Sequence, residues 1–131
     1  MNPDLFQFGW FASHSGFQLP WKFDSAALSD GSIDALARLI SGKIVFGAVY
    51  GIPRGGERLA EALCPSATAG YPLLIVDDVL TTGRSMREAR ARLTVDRPIG
   101  VVILARGECP DWVWPILSVN EWAQSRGTGL G

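Results

Sequence analysis

Four short apolar runs, separated by segments of helical spacing, set the rhythm of this chain. Ile44 to Tyr50, Leu73 to Val76, Ile99 to Ala105 and Ile116 to Val119 are short for helices and show little polar alternation. Strands buried on both faces of a parallel sheet read this way. Between the runs the period changes. Ile33, Leu36, Ala37 and Ile40 fall on one helical face, which predicts a helix capped by Ser32, running through about Ile40, with Gly42 near its stop. Further helices are predicted around Glu57 to Leu63 and from Arg84 to Thr94. Alternating strands and helices predict an α/β fold, a parallel sheet with helical crossovers. Ahead of this core, Phe6, Phe8, Trp10, Phe11, Phe17, Trp21 and Phe23 crowd the first segment without helical periodicity. That predicts short strands or a packed aromatic hood. The expected organisation is one domain: a hood over residues 1–31, an α/β core over 32–125 and a frayed Gly-rich tail over 126–131. A chain of 131 residues is long enough to bury about two-thirds of its unfolded surface.

Composition narrows the function classes. A formal net charge of -1 argues against a global nucleic-acid or membrane field. Lys22 and Lys43 are the only lysines, and several arginines cluster from Arg84 to Arg97, where a solvated helix face accounts for most of them. Cys64 and Cys109 have neither metal-ligand spacing nor a disulfide framework. With no leader pattern and no apolar run of membrane length, the expectation is a soluble cytoplasmic protein.

The chemistry gathers at two strand ends. Leu73 to Met86 reads LLIVDDVLTTGRSM, a buried strand that delivers Asp77 and Asp78 and then a hydroxyl-rich turn, Thr81-Thr82-Gly83-Arg84-Ser85, before an arginine-rich helix. Ligands of open α/β sheets sit at this edge. Free N–H groups and hydroxyls at a loop-to-helix junction cradle anions. Carboxylates beside them can hold sugar hydroxyls or help hold a divalent metal, so the site suits a sugar phosphate. Ser85 and Glu88 also spell a capping box, which is compatible with phosphate binding. The second strand end carries Tyr50-Gly51-Ile52-Pro53-Arg54-Gly55-Gly56. Its consecutive glycines permit close backbone approach to a ligand, and their N–H groups with the Arg54 guanidinium can embrace a diphosphate. Taken alone, Pro-Arg-Gly-Gly is equally an ordinary turn.

The first of these runs closely resembles the phosphoribosyl diphosphate (PRPP) signature of type I phosphoribosyltransferases. The resemblance implies that Asp77 and Asp78 hold the ribose hydroxyls and that Thr81, Thr82, Gly83, Arg84 and Ser85 wrap the 5-phosphate. It further implies that Pro53, Arg54, Gly55 and Gly56 form the diphosphate loop, with a cis bond between Pro53 and Arg54. Three more matches point to the orotate enzymes of the family. Phe11-Ala12-Ser13-His14-Ser15-Gly16 with Trp21-Lys22-Phe23-Asp24 is similar to their FxxxSG and YxxD-like segment. Leu104-Ala105-Arg106-Gly107-Glu108 is similar to their LDRxE-like strand end, and the Thr-Thr-Gly form of the phosphate loop is closer to orotate than to purine enzymes. His14, Lys22, Phe23 and Arg106 are thereby implied in base binding, Arg106 as the grip on the orotate carboxylate.

Departures from the family pattern matter as much. Orotate enzymes place a strand and a long loop rich in Lys and His between the diphosphate-loop helix and the PRPP strand. Here a short connector, Cys64 to Gly70, fills that interval without Lys, Arg or His. Gly55 stands where those enzymes commonly carry a lysine. The expectation is a shortened, Mg²⁺-dependent phosphoribosyltransferase of orotate type, with Arg54, Asp77 and Asp78 as its catalytic residues and the metal helped by Asp77 and Asp78. Arg58 is a reserve cation for the leaving group. A homodimer is expected, its partner approaching the site near Arg54 and Asp78. The rival readings are a non-catalytic PRPP- or nucleotide-binding regulator and a transferase for a purine or another base.

Overall fold

A computed structural model describes residues 6–12 and 18–119, with side chains from residue 24 onward. The chain forms β1 (Phe6–Ala12), β2 (Gln18–Phe23), a 3₁₀ turn (Ser25–Ala27) and α1 (Asp30–Lys43). It continues through β3 (Ala48–Gly51), α2 (Glu57–Leu63), a second 3₁₀ turn (Cys64–Ser66) and β4 (Leu73–Leu80). The last elements are α3 (Arg84–Leu93), β5 (Ile99–Ala105) and β6 (Val113–Ser118). Strands β3, β4, β5 and β6 pair in that order, all parallel, as the apolar runs predict. Strands β1 and β2 form a separate antiparallel ribbon, from Phe6 opposite Phe23 to Ala12 opposite Gln18.

Strand alternation feeds two cores. Leu74, Val76, Val101 and Ile103 pack with Ile33, Ala37 and Ile40 of α1 and with Leu59, Ala60 and Leu63 of α2. Ile75 and Val102 cluster with Met86 and Ala89 of α3. Successive side chains point to opposite faces, so the uninterrupted apolar runs of β4 and β5 are what a sheet covered on both sides requires.

Several expectations are corrected. The cap of α1 is Ser29, whose Oγ accepts from the Ser32 N–H at 3.1 Å, and the helix runs past Gly42 to Lys43. Asp30 in the first turn and Lys43 in the last complement the helix dipole. Strand β3 starts only at Ala48; before it, Phe46 is buried and the Gly47 N–H donates to the Pro72 carbonyl. Strand β6 begins at Val113 and includes Pro115, which an edge strand tolerates because one side of it needs no partner. The crossover from β5 to β6, residues 106–112, is not a helix. It covers the α3 side of the sheet with half-buried Cys109 and Trp112 instead. Residues 64–72 contain the short 3₁₀ turn and no strand, in line with a shortened chain. The proposed tail over 126–131 lies outside the described residues.

Candidate functional site

The acidic pair sits inside β4 rather than after it. The strand continues to Leu80, and Asp77 is in register with Val102 of β5. Asp77 is only 7% exposed, and its Oδ1 accepts the Asp78 N–H at 2.8 Å. Burial, with the neighbouring Asp78 charge second, pushes its carboxyl up to about 8. The two acids are therefore not equivalent, as the bare Asp-Asp pattern suggested. Asp77 is a covered acid whose neutral form burial favours. Asp78 is half-buried, with Oδ1 accepting the Val79 N–H and Oδ2 accepting the Ser25 hydroxyl, both at 2.8 Å.

The second loop meets this acid. The peptide between Pro53 and Arg54 is cis, as the resemblance implies. The Ile52 N–H donates to the Val76 carbonyl at 2.9 Å, tying the loop to β4 just before the acids. A Cβ placed on Gly55 would overlap the Asp78 carboxylate, so the missing side chain is what lets loop and acid touch. A lysine at this position would require the Asp78 carboxylate to move. Gly56 differs from expectation: it is buried, and its N–H is engaged by the Ile52 carbonyl at 2.9 Å, leaving it no donor for a diphosphate. Arg54 is exposed. A cavity of about 340 Å³ opens here, lined by Ser25, Ala26, Ile33, Arg54, Gly55, Arg58, Asp78 and Ile103. Arg58, the reserve cation, also lines this cavity but is engaged by the neighbouring turn. Its guanidinium donates to the carbonyls of Ser25 (3.3 Å) and Leu28 (2.9 Å) and to Asp30 Oδ1 (3.0 Å).

The third part is the cradle after β4. Gly83 is the N-cap of α3, with φ +82 and no side-chain cap bond, so only a glycine turns the chain here without strain. The capping-box reading fails, because Ser85 lies within the helix and Glu88 pairs instead with Arg84 at 2.9 Å. Gly83 supplies no side-chain cap, so apart from the Arg84 N–H the first turn of α3 has backbone N–H groups suited to an anion. The loop is braced by the Arg87 Nη1 bond to the Thr82 carbonyl (2.7 Å) and by the Arg84 N–H against Thr82 Oγ1 (3.3 Å). Arg106 sits beside the cradle: its N–H donates to the Leu80 carbonyl at 2.7 Å, and the next residue, Gly107, abuts the Thr81 carbonyl. At 6% exposure Arg106 is a buried cation rather than a surface one.

The structure thus unites Arg54, Gly55 and Asp78 in one cavity and sets Thr81 to Ser85 and Arg106 at the neighbouring strand ends. His14 lies outside the described residues, and Lys22 and Phe23 are placed only by their backbone in β2. Ser25 and the clamp role of Arg58 escaped the sequence reading. A signal was present in Asp24-Ser25-Ala26, since Asp24 accepts the Ala26 N–H at 3.1 Å in a local turn that its residue type favours. Among the described residues no group of three or more His, Cys, Asp or Glu side chains converges, so no resident metal cage is built. No described helix is long and apolar enough to cross a membrane.

No family model and no curated protein matches the chain. Solved structures do. An orotate phosphoribosyltransferase from Aeropyrum pernix superposes with a TM-score of 0.70 at 20% identity, over 94% of this chain and 93% of that one. UMP synthase from Leishmania donovani gives a TM-score of 0.70 at 16% identity, over 96% of this chain but 36% of that longer one. The orotate phosphoribosyltransferase of Mycobacterium tuberculosis H37Rv, solved with Fe(III) dicitrate, gives 0.60 at 16% identity, over 87% and 89%. The fold of this chain is that of the type I phosphoribosyltransferases, in the form shared by the orotate enzymes.

Proposed function

We propose that the chain is a phosphoribosyltransferase that binds PRPP and transfers its ribose 5-phosphate to orotate, releasing diphosphate. The observation that carries this reading is the cavity where the Pro53–Gly56 loop and Asp78 meet, one strand end from an uncapped helix start. Such a site suits a diphosphate, a sugar hydroxyl and a terminal phosphate of one ligand. Asp78 accepts ribose hydroxyls, and Asp77 sets the position of Asp78 by accepting its N–H. The N–H groups of α3 and the Thr81 and Thr82 hydroxyls take the 5-phosphate. As the bond to the leaving diphosphate stretches, the sugar gains positive and the leaving group negative character, and the Arg54 guanidinium stabilises the latter. Arg106, at the end of β5, pairs with the base carboxylate in the planar geometry that arginine offers.

Asp78, with Asp77 beside it, would help hold Mg²⁺ delivered with PRPP, and among the described residues no third His, Cys, Asp or Glu joins them to cage a resident ion. Bound there, Mg²⁺ supplies positive charge to the diphosphate. The proposed assembly is a homodimer in the cytoplasm, the partner covering a site that residues 64–72 leave open.

Chromatographic detection of nucleotide, with purified protein, PRPP, Mg²⁺ and a panel of bases, tests the reading. Orotidine 5-phosphate formation that depends on Asp78 supports it. Formation of a purine nucleotide alone would move the assignment to another base. A second reading, a non-catalytic PRPP binder, is favoured by the absence of Lys, Arg and His between Cys64 and Pro72. It predicts PRPP binding with no turnover on any base.

A further inference from the structure

The residue whose side chain hydrogen-bonds the Asp78 carboxylate comes from neither loop of the proposed site. It is Ser25, in the 3₁₀ turn that follows β2, and 53 positions separate it from Asp78. We propose that Ser25 is a positioning residue for the ribose-binding carboxylate, and that Arg58 locks the turn carrying it. The inference rests on the PRPP reading above.

The argument begins with how the acid is held. One oxygen of Asp78 accepts the Val79 N–H and the other accepts the Ser25 hydroxyl, each at 2.8 Å. The Gly55 backbone closes in behind the carboxylate, with no room for a Cβ. Three elements remote in sequence therefore fix one side chain: its own strand, the diphosphate loop and the turn. An ionised carboxylate has acceptor sites for about four hydrogen bonds, so these two contacts orient it and leave capacity for a sugar diol. A carboxylate set in place before binding has less rotamer freedom to lose when ligand arrives.

The turn has further contacts of its own. Asp24 accepts the Ala26 N–H at 3.1 Å. Arg58 of α2 donates to the Ser25 carbonyl, the Leu28 carbonyl and the Asp30 carboxylate, so one guanidinium spans the turn and the start of α1. The planar fork of arginine suits several fixed acceptors at once. A serine hydroxyl on Asp78 also resembles a ribose hydroxyl, which raises the opposite possibility of a plug that ligand must displace. The clamp decides against it: a plug needs a loose segment, whereas this turn is tied to both α1 and α2. Ser25 and Ala26 instead line the cavity together with Arg54 and Gly55.

The test is calorimetric titration of the full chain with Mg²⁺ and PRPP, using wild type, Ser25→Ala, Ser25→Thr, Arg58→Ala, Ser25→Ala with Arg58→Ala, and Asp78→Asn. Loss of a hydrogen bond to a charged group predicts about tenfold weaker binding for Ser25→Ala. Ser25→Thr, which keeps the hydroxyl, should retain most of the affinity. Arg58→Ala should weaken binding too, and the double variant should bind no more weakly than the worse single one, because both act on one contact. Circular dichroism confirms that each variant is folded. Unchanged affinity in Ser25→Ala, beside a clear loss in Asp78→Asn, overturns the positioning role alone. Tighter binding in Ser25→Ala overturns it in favour of the plug. A wild type that does not bind PRPP, or an Asp78→Asn variant that binds as well, removes the PRPP reading and this inference with it.

Discussion

Asp77→Asn should stabilise the protein increasingly as pH rises, although it removes a residue of the proposed site. The carboxyl is 7% exposed, and its pKa is lifted from 3.8 to about 8, chiefly by burial and then by the Asp78 charge. Across that window the folded chain holds a proton that the unfolded chain has released. The stability contributed by protonated Asp77 is fully present below about pH 4 and is lost as pH climbs through about 8. The slope is about 1.4 kcal/mol per pH unit for one proton. Between about pH 5 and pH 7 this single group lowers stability by an order-of-magnitude 3 kcal/mol. Asparagine has nearly the shape of the protonated acid and keeps an oxygen for the Asp78 N–H, but it carries no charge to bury. Urea unfolding of wild type and variant at several pH values reads the effect of the Asp77–Asp78 pair, because titrating groups remote from the pair cancel in the difference. The variant's advantage should grow with pH over this range. Asp78→Asn should reduce the wild-type slope without abolishing it, since burial is the larger cause. Parallel stability curves for wild type and Asp77→Asn, or an advantage that shrinks as pH rises, would refute the assignment of a neutral buried acid.

Gly55→Ala places a Cβ on the Asp78 carboxylate. It should weaken PRPP binding at least several-fold by calorimetry, and wild-type affinity would show that the loop and the acid need not touch. Gly42→Ala acts on stability alone: it lies inside α1 with nothing within 4 Å of an added Cβ. It should raise stability by roughly 0.5–1 kcal/mol in urea unfolding, and a loss would mean that the helix does not extend past Ile40. Arg106→Lys should impair orotate use while sparing PRPP binding, because lysine cannot reproduce the bidentate fork. Equal orotate kinetics in the variant would count against the base assignment.

The apolar rhythm determined the α/β class, the parallel sheet and the limits of α2 and β5, because a strand covered on both faces must be apolar along its whole length. The order of residues also marked both loops, and the family resemblance implied the cis bond that the structure has at Pro53–Arg54. Other features belong to contacts between distant segments. Asp77 and Asp78 are identical letters in the sequence. One is buried and pushed toward its neutral form and the other lines a cavity, because the strand runs on to Leu80 and neighbouring elements cover only the first. Ser85 matches a cap by spacing, yet Gly83 takes the cap position because the turn into α3 needs positive φ. Arg58 reads as a spare cation until the fold brings α2 beside the turn before α1, where the carbonyls of Ser25 and Leu28 engage it. Local pattern determines which groups a segment can offer. Burial and long-range hydrogen bonding decide which of them remain available to a ligand, since desolvation and occupied donors are properties of the packed chain.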